Sequence, residues 1–113
     1  MRTKALALLV GAFFIAPPLS LHAQTYVSLV YGGVSCNAWT GRKAIEARAY
    51  EAWIFGFISS YNAYVFRGPN VIEGVELADI RDWIDAYCKR YPEEHLDGVA
   101  RALVAEHAKK NGQ

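Results

Sequence analysis

Cys36 and Cys88 are the only two cysteines of the 113-residue chain, and the segment ahead of them decides what they do. Arg2 and Lys4 precede an uncharged apolar run from Ala5 to Ala16, which ends in Pro17, Pro18 and a short tail to Ala23. A charged start, a brief apolar stretch and a small-residue end are the regions of a secretory signal peptide. The run is too short for a bilayer span, which takes about 20 apolar residues. Residues 1–23 are therefore expected to be a signal peptide, and residues 24–113 a single exported domain, off the membrane once cleaved and periplasmic in location. In an oxidising compartment an even cysteine count predicts a bridge. A Cys36–Cys88 disulfide would close a loop of about 50 residues and stabilise the fold by about 4 kcal/mol in the chain-entropy model. A reactive thiol or a metal site is the alternative, but neither cysteine carries CxxC, CxxH or HxxxC spacing.

Removal of the leader takes away Arg2 and Lys4 and leaves 90 residues with 10 basic and 11 acidic side chains. A near-neutral chain without a basic block argues against a nucleic-acid partner. Ninety residues make one domain, too small for a nucleotide-binding sheet with a separate substrate lobe. Gly32-Gly33 is not followed by the lysine of a phosphate loop. Ser59, Ser60, His95 and His107 are the candidates for a nucleophile and its base, without a GxSxG context. Glu94, His95 and Asp97 fall on different faces of one turn, which disfavours a metal site. His107 lies on an apolar stripe, as a core or edge histidine does. The chain reads as a non-enzyme that needs no cofactor and no metal.

Tyr26 to Tyr31 is an apolar extended stretch with no partner strand, so residues 24–35 are expected to form an arm. From Arg42 to Phe66 the pattern is helical: good helix formers from Lys43 to Ala52, then Trp53-Ile54-Phe55-Gly56-Phe57-Ile58, apolar on every face. Such a helix is expected at the centre of a domain or in an interface. Trp53, Phe55, Gly56, Phe57, Tyr61 and Tyr64 are its candidate packing, dimer or client surface. Ala52, Gly56, Ser60 and Ala63 mark a small-residue stripe where a second helix could approach. Arg67-Gly68-Pro69-Asn70 breaks the helix. Leu77, Ile80, Ile84 and Tyr87 or Cys88 predict the buried face of another over 76–90. Pro92 suits the first position of a last helix, with Leu96, Val99, Ala100, Leu103, Val104 and His107 on its apolar face. The expected fold is all-α: a small disulfide-closed domain of three to four helices with an extended N-terminal arm.

The carboxylates are unevenly placed. Residues 73–97 hold Glu73, Glu76, Asp79, Asp82, Asp85, Glu93, Glu94 and Asp97, eight of the eleven. Asp79, Asp82 and Asp85 recur every third residue as a candidate acidic stripe, either an ordinary solvated face or a pH-sensitive, partner-binding one. Protonating all eleven carboxylates and the two histidines beyond the leader adds thirteen positive charges, and repulsion at that density loosens compact states.

Ser35-Cys36 at the head, and Ile84-Asp85-Ala86-Tyr87-Cys88-Lys89-Arg90-Tyr91-Pro92-Glu93-Glu94-His95-Leu96 near the end, resemble the HdeA/HdeB family of periplasmic acid-stress chaperones, most closely the HdeB branch. The resemblance implies a helical protein with one disulfide between these two places, dimeric at neutral pH, whose apolar surface holds unfolding clients in acid. Only Cys36 and Cys88 match family positions with a known role. Between the cysteines the likeness fades, and the helix from Trp53 to Tyr64 is richer in aromatics. Exported immunity proteins of the Tai group share this size, a disulfide and a Pro-led last helix, but usually place a cysteine where this chain has Ala52-Trp53. A specific partner-binding immunity or inhibitor protein is thus the second functional class, and an envelope component of neither activity a third.

Overall fold

A hydroxyl or a carboxylate at the start of each of the first three helices accepts a backbone N–H that has no partner within the helix. The computed structural model describes residues 30–112. Among them are four helices, α1 (Cys36–Thr40), α2 (Ala44–Tyr64), α3 (Leu77–Arg90) and α4 (Leu96–Lys110), and no strand. The expected leader and residues 24–29 of the expected arm lie outside the described residues. Where the arm enters the description, Val30–Gly33 is a 3-10 turn and not extended chain. Glycines have no side chain to pack in a strand, and Gly32-Gly33 lets the chain turn instead.

α1 was not foreseen. Ser35 caps it, its hydroxyl accepting the Ala38 N–H at 3.2 Å, as serine does at helix starts. α2 starts with the Glu46 carboxylate accepting the Lys43 N–H at 3.0 Å, and α3 with Asp79 accepting the Glu76 N–H at 3.3 Å. Both place negative charge at the positive end of a helix. The loop between α2 and α3 is clasped by two asparagines. Asn62 donates to the Asn70 side-chain oxygen at 2.9 Å and accepts the Val71 N–H at 2.8 Å. That clasp holds Val71 fully buried, and the Val71 carbonyl accepts Asn111 Nδ2 from the end of α4 at 2.6 Å. Gly74, at φ 76°, makes the left-handed turn that leads into α3.

α4 starts at Leu96, four residues later than Pro92 suggests. The backbone just before it is used elsewhere: Ser35 and His95 form an antiparallel bridge. Cys36 N–H donates to the Glu94 carbonyl at 2.7 Å, and Leu96 N–H to the Val34 carbonyl at 2.9 Å. Glycine at 98 lets the chain approach Glu94 closely, since a Cβ there would come within 2.5 Å of the Glu94 carboxylate.

The core gathers Ile80, Ile84 and Cys88 of α3, Leu96, Val99, Leu103 and Val104 of α4, Ile54 and Ile58 of α2, and Trp39 of α1. The periodic faces expected for the last two helices are therefore the buried ones, except that Leu77 is 49% exposed. It is the first residue of α3 and borders a surface hollow with Phe55 and Ile58. The Cys36–Cys88 disulfide is present, with Cα atoms 4.9 Å apart, and ties α1 to the end of α3. Beside it Trp39, wholly buried, donates its indole N–H to Asp85 at 2.7 Å. Arg42 lies 3.9 Å over the Trp39 ring and donates to the Trp39 carbonyl at 2.7 Å and to Asp85 at 3.3 Å.

Candidate protein-binding face

α2, apolar on every face, is expected at the centre of the domain or in an interface. Only Ile54 and Ile58 are buried. Ala52, Gly56, Ser60 and Ala63 are all exposed, and among the described residues no helix packs on the stripe at Gly56. A Cβ built at Gly56 meets nothing within 4 Å. Four helices of this length enclose one small core, and a 21-residue helix presents more apolar surface than that core can cover.

The surplus forms a groove of about 470 Å³ lined by Trp53, Gly56, Phe57, Ser60, Tyr61, Tyr64 and Val65. Trp53 and Phe57 pack against each other, centroids 5.7 Å apart. Tyr61 stacks on Phe66 at 6.4 Å, which fixes the other wall. Tyr64 and Val65 are 88% and 58% exposed. Five of the six aromatic and glycine candidates thus lie together. Phe55 does not join them; it lines a separate, smaller hollow with Ile58, Ser59, Asn62 and Leu77. Sequence reasoning missed Val65 and Ile45, the latter 80% exposed on α2. No charged residue occurs between Glu51 and Arg67, and this was the available signal: a solvated helix face normally carries charge.

The three aspartates of the candidate stripe are all exposed, and two of them also hold contacts within the fold. Asp79 caps α3, and Asp85 is the acceptor for Trp39 and Arg42. Asp82 is exposed. Ser59 donates its hydroxyl to the Phe55 carbonyl at 2.8 Å, so it is turned into its own helix. Among the described residues no three His, Cys, Asp or Glu side chains come together as a metal site. No helix among them is long and apolar enough to cross a membrane.

A second aromatic array runs up α3 toward α4 without having been anticipated. Trp83 stacks on Tyr87 at 5.0 Å, and Tyr87 meets Tyr91 at 4.8 Å. Trp83 donates to Glu106 at 3.0 Å. Hydrogen bonds from Lys110, chiefly, and from Trp83 hold the Glu106 carboxyl below its ordinary range. Burial first, then the negative charge of Glu94, pushes the Tyr87 hydroxyl up. These side chains tie α3 to α4.

His107 is buried, 7% exposed, and its Nδ1 has no hydrogen-bond partner. Burial, reinforced by Lys110 and opposed by Glu106, lowers its pKa from the ordinary 6.5. The folded state thus takes up a proton less readily than the unfolded chain. The resulting stability is complete above 6.5, and declines as pH falls through that value toward the lower folded pKa, by at most about 1.4 kcal/mol per pH unit. His107→Gln should flatten this part of the acid dependence, read as urea midpoints at pH near 7 and near 5. An unchanged pH slope in the variant would show that His107 contributes nothing to it.

Comparison of the chain with protein-family models, with curated proteins and with solved structures finds no match.

Proposed function

We propose that this protein is a small, exported, non-enzymatic holdase that binds apolar segments of unfolding proteins in acid. The uncharged aromatic groove of α2 carries the reading. An open apolar surface on a small domain is costly to keep in water unless it meets a partner. Its walls are aromatic rings over a floor of Gly56 and Ser60, a shape that accepts varied apolar side chains and selects none by charge. Acid supplies the trigger. Buried His107 opposes the folded state as it is protonated, and the carboxylates of residues 73–97 lose the negative charge that offsets the rest of the chain. The disulfide then keeps α1 and α3 tethered while the helices part and add core surface to the groove.

A protein of this kind suppresses the aggregation of acid-denatured periplasmic proteins at pH of about 3 and does so weakly near pH 7. Right-angle light scattering with the protein in modest molar excess measures this. Phe57→Ser/Tyr64→Ser, which empties the groove, should lose most of the suppression while keeping the helical CD spectrum at neutral pH. No suppression at any ratio in acid would refute the holdase reading. The second class, a neutral-pH immunity or inhibitor protein using the acidic stripe, has less support. Asp79 and Asp85, although exposed, each already hold a hydrogen bond within the fold, which weakens the stripe as a partner surface.

A further inference from the structure

Asparagine is a thermolabile residue, because the backbone nitrogen that follows it can attack its side-chain amide. The reaction needs that nitrogen unshielded and free of hydrogen bonds. The chain has four asparagines, Asn37, Asn62, Asn70 and Asn111, and three are blocked. Asn37 is followed by Ala38, whose N–H is held by Ser35 at 3.2 Å. Asn62 lies inside α2, where the N–H of Ala63 belongs to the helical ladder. Asn70 precedes β-branched Val71, whose N–H is held by Asn62 at 2.8 Å.

Asn111 differs on each count. α4 ends at Lys110, so Asn111 is the cap and not part of the ladder. The next residue is Gly112, which has no side chain to shield its nitrogen. Its N–H has no hydrogen-bond partner among the described residues. A Cβ built at Gly112 meets nothing within 4 Å, so water and base reach the site. The one restraint is the hydrogen bond from Asn111 Nδ2 to the Val71 carbonyl at 2.6 Å.

We infer that Asn111 is a self-modification site, and that its conversion to aspartate or isoaspartate unlatches the end of α4 from the loop between α2 and α3. Base removes the Gly112 amide proton, and the nitrogen attacks Asn111 Cγ. The N–Cγ bond forms, the Cγ–Nδ2 bond breaks, and Nδ2 leaves as ammonia with a proton from water. Water then opens the five-membered succinimide. Opening at Cγ gives aspartate, and opening at the backbone carbonyl gives isoaspartate, with the chain continuing through the side chain. Nothing is oxidised or reduced, and one amide becomes one carboxylate. The bond to Val71 slows the step by about tenfold at most, since a single hydrogen bond is worth about that factor.

The product undoes the contact that positioned it. A carboxylate cannot donate to the Val71 carbonyl, and Val71 is fully buried, so the carbonyl loses its partner where water does not replace it. The new negative charge also stands at the negative end of α4. Lys110 offers little relief, since it is held by Glu106 at 2.9 Å. The inference is independent of the holdase reading.

Peptide mapping by mass spectrometry, on folded protein held warm in mild acid and in mild alkali, tests it. Conversion is expected at Asn111 ahead of the other three, and faster in alkali. Gly112→Ala should slow it at least about tenfold by shielding the nitrogen. Asn111→Asp, which installs the product directly, should melt about 4–8 °C below the unmodified protein. Conversion at Asn37, Asn62 or Asn70 as fast as at Asn111 overturns the inference. So does conversion in the folded protein more than about a hundredfold slower than in the urea-unfolded chain, which would mean that the fold protects the site. An Asn111→Asp variant that melts with the unmodified protein overturns the unlatching.

Discussion

Removing the Cys36–Cys88 disulfide lowers the melting temperature by about 15–30 °C, the shift expected when a domain of this size loses about 4 kcal/mol. Total stability for so small a domain is about 5–10 kcal/mol, so the bridge accounts for a large fraction of it. Its position explains why the loss is not local. The bridge spans 52 residues, which includes all of α2 and most of α3, and it is the covalent hold on α1. Both cysteines are core residues, at 0% and 1% exposure. A reductant therefore reaches the bond only when the fold opens, and dithiothreitol alone should act slowly on the native protein and quickly in mild urea. Cys36→Ala/Cys88→Ala avoids this kinetic protection, and thermal CD of that variant is the direct measurement. A drop below about 5 °C would mean that the chain-entropy account fails here and that the helices hold without closure.

Legibility of this fold followed how local each cause was. The last two helices could be read because a two-layer packing leaves its mark on one sequence segment: Ile80, Ile84 and Cys88, or Val99, Leu103 and His107, fall on one face whatever they pack against. The bridge was legible because only two cysteines exist. What escaped depended on partners distant in sequence. α1 is five residues long, too short for periodicity, and exists because Cys36 and Trp39 are held by Cys88 and Asp85 some fifty residues on. The start of α4 shifted because the Glu94 carbonyl is taken by Cys36, a bond invisible in residues 91–96. α2 was left between the centre of the domain and an interface because apolar composition says that a surface is unsuited to water but not whether this chain itself covers it. Only the structure separates the covered side, Ile54 and Ile58, from the uncovered one.

Trp39→Ala should cost about 3–5 kcal/mol, the range for deleting a large aromatic from a core, and this is the largest effect expected from any single side chain here. Trp39 is wholly buried although it belongs to the shortest helix, so α1 is held as much by this ring as by the disulfide. Three interactions converge on it: the hydrogen bond to Asp85, the Arg42 guanidinium over the ring, and its contact with Tyr50 of α2, centroids 6.5 Å apart. They are not of equal weight. The Asp85 side chain is 51% exposed, and water can replace the indole N–H when it is lost. Trp39→Phe should therefore cost about 1 kcal/mol beyond the small loss of volume. Asp85→Asn, which keeps an acceptor but ends the ion pair with Arg42, should cost less than about 1 kcal/mol, as partly exposed pairs do. Urea unfolding of the three variants gives this order. Combining Trp39→Ala with loss of the disulfide should cost less than the two separate losses together, since both act by holding α1 against α3 and α1 can be released only once. Strict additivity would mean that the ring and the bridge support different parts of the fold, and that α1 is not the latch closing the core between α2 and α3.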